Sequence, residues 1–383
     1  MEAVLENLRS WQCDSLVIGM CFDTTASNTG RINGACTLLE IAIGRNLLWM
    51  ACRHHMFEVL LSDAFGVCFG PSTGPEILLF KRFKQKWFTL VHRQPKPTVT
   101  PLIPVSEQLK AFIAEHLHVT HPRDDYREFL QLAASLVGLD SSVSLRKPGA
   151  LHRARWMAKA IYSMKIELLF EGNESVIKLT AREIHGIQRF NRFVVNIYLQ
   201  SWFTSRAVVD APYNDLLLIQ RLDDYDDVFL KTIGLKMMIR HSWYISPELA
   251  TVCLFSKQLS IEEKTQLVSG IKEDRGSHLV KSLPHTLREI SISRSFFQTT
   301  AIDDSFLNIP VEKWPESQAY QDAFMYINNL ACVNDSAERG VALIQNFNAT
   351  ITKDETQKQY LLQVVEKHRH DFAKCTRKTL MDI

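Results

Sequence analysis

Short apolar runs alternate with stretches of helical periodicity near the start of the chain. Residues 15–22 form a near-continuous apolar run that ends at Asp23, a pattern typical of a strand buried on both faces. Loop and capping residues follow and lead into a predicted helix over residues 34–43. A second apolar run, residues 47–52, precedes a helical stretch over residues 55–65. This strand, helix, strand, helix order predicts an α/β unit.

Beyond about residue 66 the apolar positions recur every three or four residues, between breaks marked by proline and glycine. This spacing predicts a mostly helical region that extends to about residue 325. Two capping-box patterns, Asp335-x-x-Glu338 and Thr352-x-x-Glu355, predict two further helices. We therefore expect an α+β, predominantly α fold in three parts. The parts are 1–65, 66–325 and 326–383, and the helices predicted in the middle part cover 106–117, 126–137, 150–170, 184–198 and 224–238.

Composition and charge exclude several classes of protein. The hydrophobic fraction of 46% excludes a disordered chain, and 44 Lys and Arg against 42 Asp and Glu give a net charge of only +2. Any binding to nucleic acid must therefore come from local patches. No apolar run approaches the roughly 18 residues of a membrane span, and the eight cysteines in a chain of this length suit reduced thiols. We expect no membrane association and a nuclear or cytoplasmic location.

Asp23 is the first candidate for chemistry, because open α/β sheets bind ligands beyond the carboxyl ends of their strands. The alternative is a helix N-cap or a turn, since Asp, Ser, Thr and Asn are the favoured capping residues. Glu338 has a similar structural alternative, because it is the third residue after Asp335 and can close the capping box.

Residues 52–55, Cys-Arg-His-His, contain residue types that bind metals. A structural zinc site needs four ligands, and no second Cys/His pair with suitable spacing accompanies this one. The residues alone therefore favour packing and hydrogen bonding over zinc.

Two basic stretches, residues 80–88 and 146–156, contain aromatic residues between the charges. Basic side chains can neutralise phosphates while an aromatic ring stacks on a base. The commoner alternative is a solvated helix face whose aromatic rings lie in the core. The basic candidates are Lys81, Arg82, Lys84, Lys86, Arg146, Lys147, Arg153 and Arg155.

Four short motifs occur in a characteristic order along nearly the whole chain. They are Asp23-Thr-Thr-Ala-Ser-Asn28, Cys52-x-x-His55, Arg155-Trp156 and Ser336-Ala-Glu-Arg339. In this order, with a long helical region between them, they resemble the hAT superfamily of DNA transposases. The resemblance implies a partial RNase H-like α/β core that is interrupted by a large all-helical insertion and closed by the C-terminal helices.

The resemblance also implies roles for individual residues. Asp23 and Glu338 match the second and last of three catalytic acids, which in the family hold divalent metal ions, here Mg²⁺ or Mn²⁺. Cys52 and His55 match a supporting motif. Arg155 and Trp156 match the Arg-Trp motif of the insertion, whose tryptophan is associated with a flipped base at the transposon end.

Three departures from the family pattern limit these implications. The first acid belongs well upstream of the Asp23 segment, but only 22 residues precede Asp23. No Cys/His spacing suits the amino-terminal zinc finger usual in the family, and Gly340-Val-Ala replaces the aromatic-Ser stretch after Arg339.

We therefore expect a truncated, transposon-derived protein that is DNA-associated or regulatory, binds metal weakly and lacks strand-transfer activity. An open sheet edge favours either helices packed over both faces of the sheet or association into a homo-oligomer. Two alternatives stay open: a host-recruited interaction or dimerisation module without DNA binding, and a fragment of an active transposase.

Overall fold

Helices dominate the computed structural model, and the predicted predominantly α class is confirmed. The structure describes residues 1–70, 77–92, 101–121, 124–139, 145–148, 157–241, 246–271, 283–286, 289–290, 292–334, 343 and 347–371. The chain divides into two units, Met1–Cys332 and Val333–Ile383. No helix among the described residues has both the length and the apolar composition needed to cross a membrane.

A parallel pair of strands forms the sheet of the first unit. Strand β1 (Gly19–Phe22) pairs with β2 (Leu48–Ala51), so that Phe22 lies opposite Ala51. The connection between them contains helices α2 (Ala26–Thr29) and α3 (Ala35–Ile43). Helix α3 ends at Gly44 as predicted, because Gly44 has a φ of +78°, a left-handed conformation that glycine adopts without strain.

The prediction of a long first strand buried on both faces is wrong. Strand β1 has only four residues, and only Phe22 among them is buried. In the described part of the chain the sheet has two strands, so β1 pairs on one side only. Strand β2 is better covered, because Leu48 and Met50 enter an apolar cluster on one face and Trp49 contacts the Phe22 ring on the other.

Helices build the rest of the first unit, with α1 before the sheet and the others after it. Short 3₁₀ segments connect several of them, and a π-helical turn, Val194–Tyr198, joins α9 to α10. The helices are α1 Glu2–Ser10, α4 Arg53–Phe69, α5 Leu78–His92, α6 Glu107–His118, α7 Asp124–Leu136, α8 Ala158–Phe170, α9 Ala181–Phe193, α10 Leu199–Thr204, α11 Ala211–Asp223, α12 Val228–His241, α13 Pro247–Thr251, α14 Ile261–Ser269, α15 Ser295–Thr300 and α16 Gln318–Asn328.

Helix α4 is central to the larger of two apolar cores. It packs against α8, α9, α10 and α12 and buries one side, which includes Phe57, Leu60 and Phe65. Gly186 lets α9 approach the end of α4, because a Cβ atom there would lie 2.9 Å from the Phe69 ring. The second core lies between β2, α13, α15 and α16 and the 3₁₀ segments among them, with Trp314 fully buried.

Several helix boundaries differ from the predictions for identifiable reasons. The helix predicted from residue 150 begins at Ala158, because Met157 has a φ of +55° that an α-helix cannot continue through. The predicted helix 184–198 is instead α9 followed by the π-helical turn. The helix predicted from residue 224 begins at Val228, because Asp227 Oδ1 accepts the backbone N–H groups of Phe229 and Leu230.

The second unit contains helix α17, Glu355–Asp371. The capping box predicted at Thr352 is wrong, because the helix begins two residues later than that box requires. Asp354 Oδ1 accepts the backbone N–H of Gln357, and the Thr352 hydroxyl accepts the N–H of Asp354. The other predicted box, Asp335-x-x-Glu338, lies outside the described residues.

Candidate functional site

Asp23 lies at the carboxyl end of β1 and organises the loop that follows. Its Oδ1 atom accepts hydrogen bonds from the Thr25 N–H at 3.0 Å, the Thr25 hydroxyl at 2.5 Å and the Asn28 amide at 2.8 Å. The N-cap of α2 is Thr25, so Asp23 is not the cap, and the bond from the Thr25 N–H shows the turn that is the other part of the structural alternative. The second oxygen, Oδ2, accepts no hydrogen bond from any residue in the described ranges. Oδ1 therefore stabilises the loop, and Oδ2 is available to bind a ligand.

The charge on Asp23 is stabilised by its neighbours. Partial burial acts to raise the pKa of Asp23, but the hydrogen bonds from Thr25 and Asn28 and the nearby His55 outweigh it and lower the pKa. The carboxylate is therefore ionised at neutral pH. His55 lies in the first turn of α4, which follows β2, and parallel strands bring Asp23 and His55 to the same sheet edge.

Cys52 of the Cys-x-x-His motif is a core residue. It is the N-cap of α4 and fully buried. The Cys21 thiol shares a hydrogen bond with Cys52, and this bond together with burial raises the pKa of Cys21 far above its ordinary value. Burial also raises the pKa of Cys332, which lies beside them, to about 11. Cys52 therefore packs in the core beside two other thiols, as the packing interpretation expects.

Arg53 and His54, between the two motif residues, are also buried. The Arg53 guanidinium forms an ion pair with Asp215 of α11 at 3.2 Å, and both side chains are almost inaccessible. The His54 ring stacks on Trp202 with centroids 3.8 Å apart. The four successive residues 52–55 therefore lie in different environments. The first three are buried in the core, and His55 is partly exposed.

Two titratable residues, Glu58 on α4 and His241 on the neighbouring α12, were missed by sequence reasoning. His241 is buried at the end of α12; burial, Arg240 and His55 together lower its pKa to about 4, so it is neutral at pH 7. Burial raises the pKa of Glu58 to about 7, although the Met157 N–H and the Tyr198 hydroxyl each donate to its Oε1 at 3.0 Å. Neither residue belongs to a recognisable motif, so no local signal could have found them.

Several predicted site residues cannot be placed. Glu338, Arg153, Arg155 and Trp156 lie outside the described residues, so the predicted convergence of Asp23 and Glu338 on a metal ion stays a prediction. Within the described residues, no group of three or more His, Cys, Asp or Glu side chains is arranged to hold a metal ion.

Helix α5 carries the first basic stretch on its solvent side. Its apolar residues Phe80, Phe83 and Trp87 are buried in the larger core, which agrees with the structural alternative for most of these aromatics. Lys81 and Lys84 are exposed with Phe88, at the i, i+3 and i+7 positions of one helical strip. Phe88 is the exception among the aromatic residues, because 64% of it is exposed.

The second basic stretch meets the first at Phe88. The Lys147 ammonium lies 5.0 Å from the centroid of the Phe88 ring, and both Arg146 and Lys147 are exposed. We give the name basic face to the exposed strip of Lys81, Lys84 and Phe88 on α5 together with the adjoining Arg146 and Lys147. Arg82 and Lys86 project from the other flank of α5, where Arg82 forms an ion pair with Glu183.

A buried lysine holds the two basic stretches together. The Lys165 ammonium of α8 donates to the Arg146 carbonyl at 2.7 Å, pairs with Glu128 of α7 and lies 5.7 Å from the Trp87 ring centroid. Its side chain is fully buried. Lys165 therefore positions the basic face without belonging to it.

Comparisons with protein-family models, with curated proteins and with solved structures find no significant match to this chain.

Proposed function

We propose that this protein is a transposon-derived, hAT-like protein that associates with DNA through the basic face. The observation that carries the proposal is the meeting of two basic stretches, distant in sequence, around one exposed ring. Four cations on one surface can each neutralise a phosphate, and an exposed aromatic ring between them can stack on an unpaired base. Both properties are those required for a sequence-insensitive nucleic-acid surface.

The charge distribution supports a local rather than a global interaction. The whole chain carries a net charge of only +2, so its overall field does not attract nucleic acid strongly. A patch of four cations can still bind phosphates, because at ordinary salt concentrations a charge is screened beyond about 10 Å, so that only nearby charges influence a phosphate. Within the part of the chain that the structure describes, no carboxylate forms an ion pair with Lys84 or Lys147.

A partial RNase H-like core is part of the same proposal. The parallel pair β1 and β2, with Asp23 and His55 at one edge, is compatible with the ligand-binding edge of such a core. The free Oδ2 of Asp23 suits an oxygen-preferring cation such as Mg²⁺ or Mn²⁺, with Glu338 as the second expected carboxylate. With Asp23 and Glu338 as its carboxylates we propose that the site binds a divalent metal weakly, because two-metal chemistry needs further ligands to place both ions.

Salt-dependent binding of the purified full chain to DNA tests the proposal. Fluorescence anisotropy with a labelled 20-base-pair duplex should give a slope of log K against log salt of about −3 to −4, since each neutralised phosphate contributes about −0.9. Scrambling the duplex sequence should leave the affinity unchanged. Absence of binding at 25 mM salt would contradict the proposal and favour the host-recruited interaction module.

A further inference from the structure

A cleft in the helical region has no role in the proposed DNA binding. It has a volume of about 550 Å³ and lies between residues 102–104, α8, one face of α9 and the loop before α12. A volume of this size falls within the range of small-ligand sites. Residues 102–104 and the Tyr225 ring supply apolar surface, and the rest is supplied by charged side chains together with His185 and Gln188.

Most charges that line the cleft are already paired. Arg189 binds the Asp227 carboxylate through two nitrogens, one of them at 2.7 Å, and Arg192 pairs with Asp226 at 2.7 Å. Asp227 also caps α12, so its position is fixed by the backbone as well. These two ion pairs leave the rim of the cleft close to neutral.

Glu167 of α8 also lines the cleft, and no cationic side chain among the described residues forms an ion pair with it. Its Oε2 accepts a hydrogen bond from the buried Asn191 amide at 2.5 Å, which fixes the carboxylate in place. Its Oε1 receives no hydrogen bond from the residues that the structure describes. Burial raises the pKa of Glu167 to about 6, against the hydrogen bond from Asn191, so the carboxylate is mostly charged at pH 7.5.

We propose that this cleft binds an alkylammonium group, with Glu167 as its anionic partner and residues 102–104 and Tyr225 around its methylene chain. A carboxylate held in a half-buried site gains most from a cation, because the low local dielectric strengthens the pairing. A flexible hydrocarbon chain with a terminal ammonium fits an apolar wall that leads to one carboxylate. An anionic ligand is disfavoured, because Arg189 and Arg192 are already neutralised by aspartates.

The proposal is tested with a matched pair of probes on the full chain. Nα-acetyl-lysine methylamide and Nα-acetyl-norleucine methylamide have similar side chains, but only the first carries an ammonium group. Chemical-shift perturbation or calorimetry at pH 7.5 should show saturable binding of the lysine probe and none of the norleucine probe. A parallel titration with 1,5-diaminopentane distinguishes a peptide side chain from a free diamine as the source of the group.

The variant Glu167→Gln keeps an acceptor for Asn191 and removes the charge. It should weaken binding of the lysine probe by about tenfold or more, since the loss of one partner of a desolvated charge pair has effects of this size. Glu171→Gln, one turn further along and exposed, is the matched control and should leave binding unchanged. A thermal melt verifies that both variants fold.

Three results would overturn the proposal: no saturable binding of either cation, equal binding of the norleucine probe, or unchanged binding by folded Glu167→Gln. None of them depends on DNA binding, so this proposal and the proposed function can fail separately.

Discussion

Lys147 places its ammonium 5.0 Å from the centre of the Phe88 ring, which joins two basic stretches into one surface. The Phe88 ring is 64% exposed, whereas the other aromatic rings of its helix are buried. The Lys147 ammonium above the ring is attracted to it by a cation–π interaction. The pair therefore combines the two elements that single-stranded nucleic acid requires, a stacking ring and a phosphate partner.

Replacing the exposed ring should affect unpaired DNA more than duplex DNA. We expect Phe88→Ala to weaken binding to a single-stranded oligonucleotide by about 1 to 2 kcal/mol, because base stacking on an aromatic ring contributes this much. Duplex affinity should change by less than about 0.5 kcal/mol, because duplex bases are already stacked. Anisotropy titrations on both substrates measure the difference. An equal loss on both would show that Phe88 supports the fold instead.

Removing the buried cation of α8 should destabilise the first unit. We expect Lys165→Met to lower the free energy of unfolding by about 3 to 5 kcal/mol, because it leaves the Glu128 carboxylate buried beside an apolar side chain. Arg192→Met is the control, since its pair with Asp226 is half exposed and should contribute at most about 1 kcal/mol. Urea unfolding measures both. Similar small losses would contradict the positioning role of Lys165.

Glu58 should make stability depend on pH in a specific direction. Its pKa in the folded protein is about 7, above the ordinary 4.5, mainly because of burial, so the folded state holds this proton more tightly than the unfolded chain. That contribution is complete below pH 4.5 and is lost as the pH rises from 4.5 to 7.

Glu58→Gln should remove this loss, because glutamine can still accept from Met157 and Tyr198. The stability of the variant relative to the natural chain should therefore rise by roughly 2 to 3 kcal/mol between pH 5 and pH 8. His241 titrates with the opposite sign in both proteins, so its effect cancels in the comparison. A difference that does not change with pH would contradict the assignment.

Asp23 should contribute to stability through its three hydrogen bonds. We expect Asp23→Ala to cost about 1 to 2 kcal/mol and Asp23→Asn less, because asparagine retains an acceptor oxygen for Thr25 and Asn28. Since the folded pKa is lowered, the carboxylate contributes above its ordinary pKa and its contribution is lost as the pH falls through the lowered value. Urea unfolding at pH 7 and pH 3.5 measures both effects. Equal losses in the two variants would contradict the loop-organising role.

Periodicity and end signals predicted many of the elements. The apolar stripe of α4, the stop at Gly44 and the presence of two short strands all depend on residues that are neighbours in sequence. Boundaries were less accurate where one residue decides them, as Met157 does through its positive φ and Asp227 does through its capping bonds. The excess length of the predicted first strand has another cause, because apolar character alone does not distinguish a strand from the turn before it.

The sites were harder to predict, because their geometry depends on contacts between distant segments. Both basic stretches were identified as candidates, but nothing local indicated that they meet at Phe88. Lys165 and Glu167, on the same helix, have no sequence signature at all. A buried lysine and a half-buried carboxylate look like ordinary helix-surface residues until the partners Glu128 and Asn191 are known.

The central claim is that the basic face neutralises phosphates, and one comparison of variants tests it most directly. Lys84→Ala/Lys147→Ala removes two charges from that face, and Lys236→Ala/Lys313→Ala removes two exposed charges from other elements. The salt dependence of duplex binding is measured for both double variants. We predict that the first loses affinity and that its slope of log K against log salt becomes shallower by about 1.8, while the second keeps the natural slope. Identical slopes for the two variants would contradict the claim.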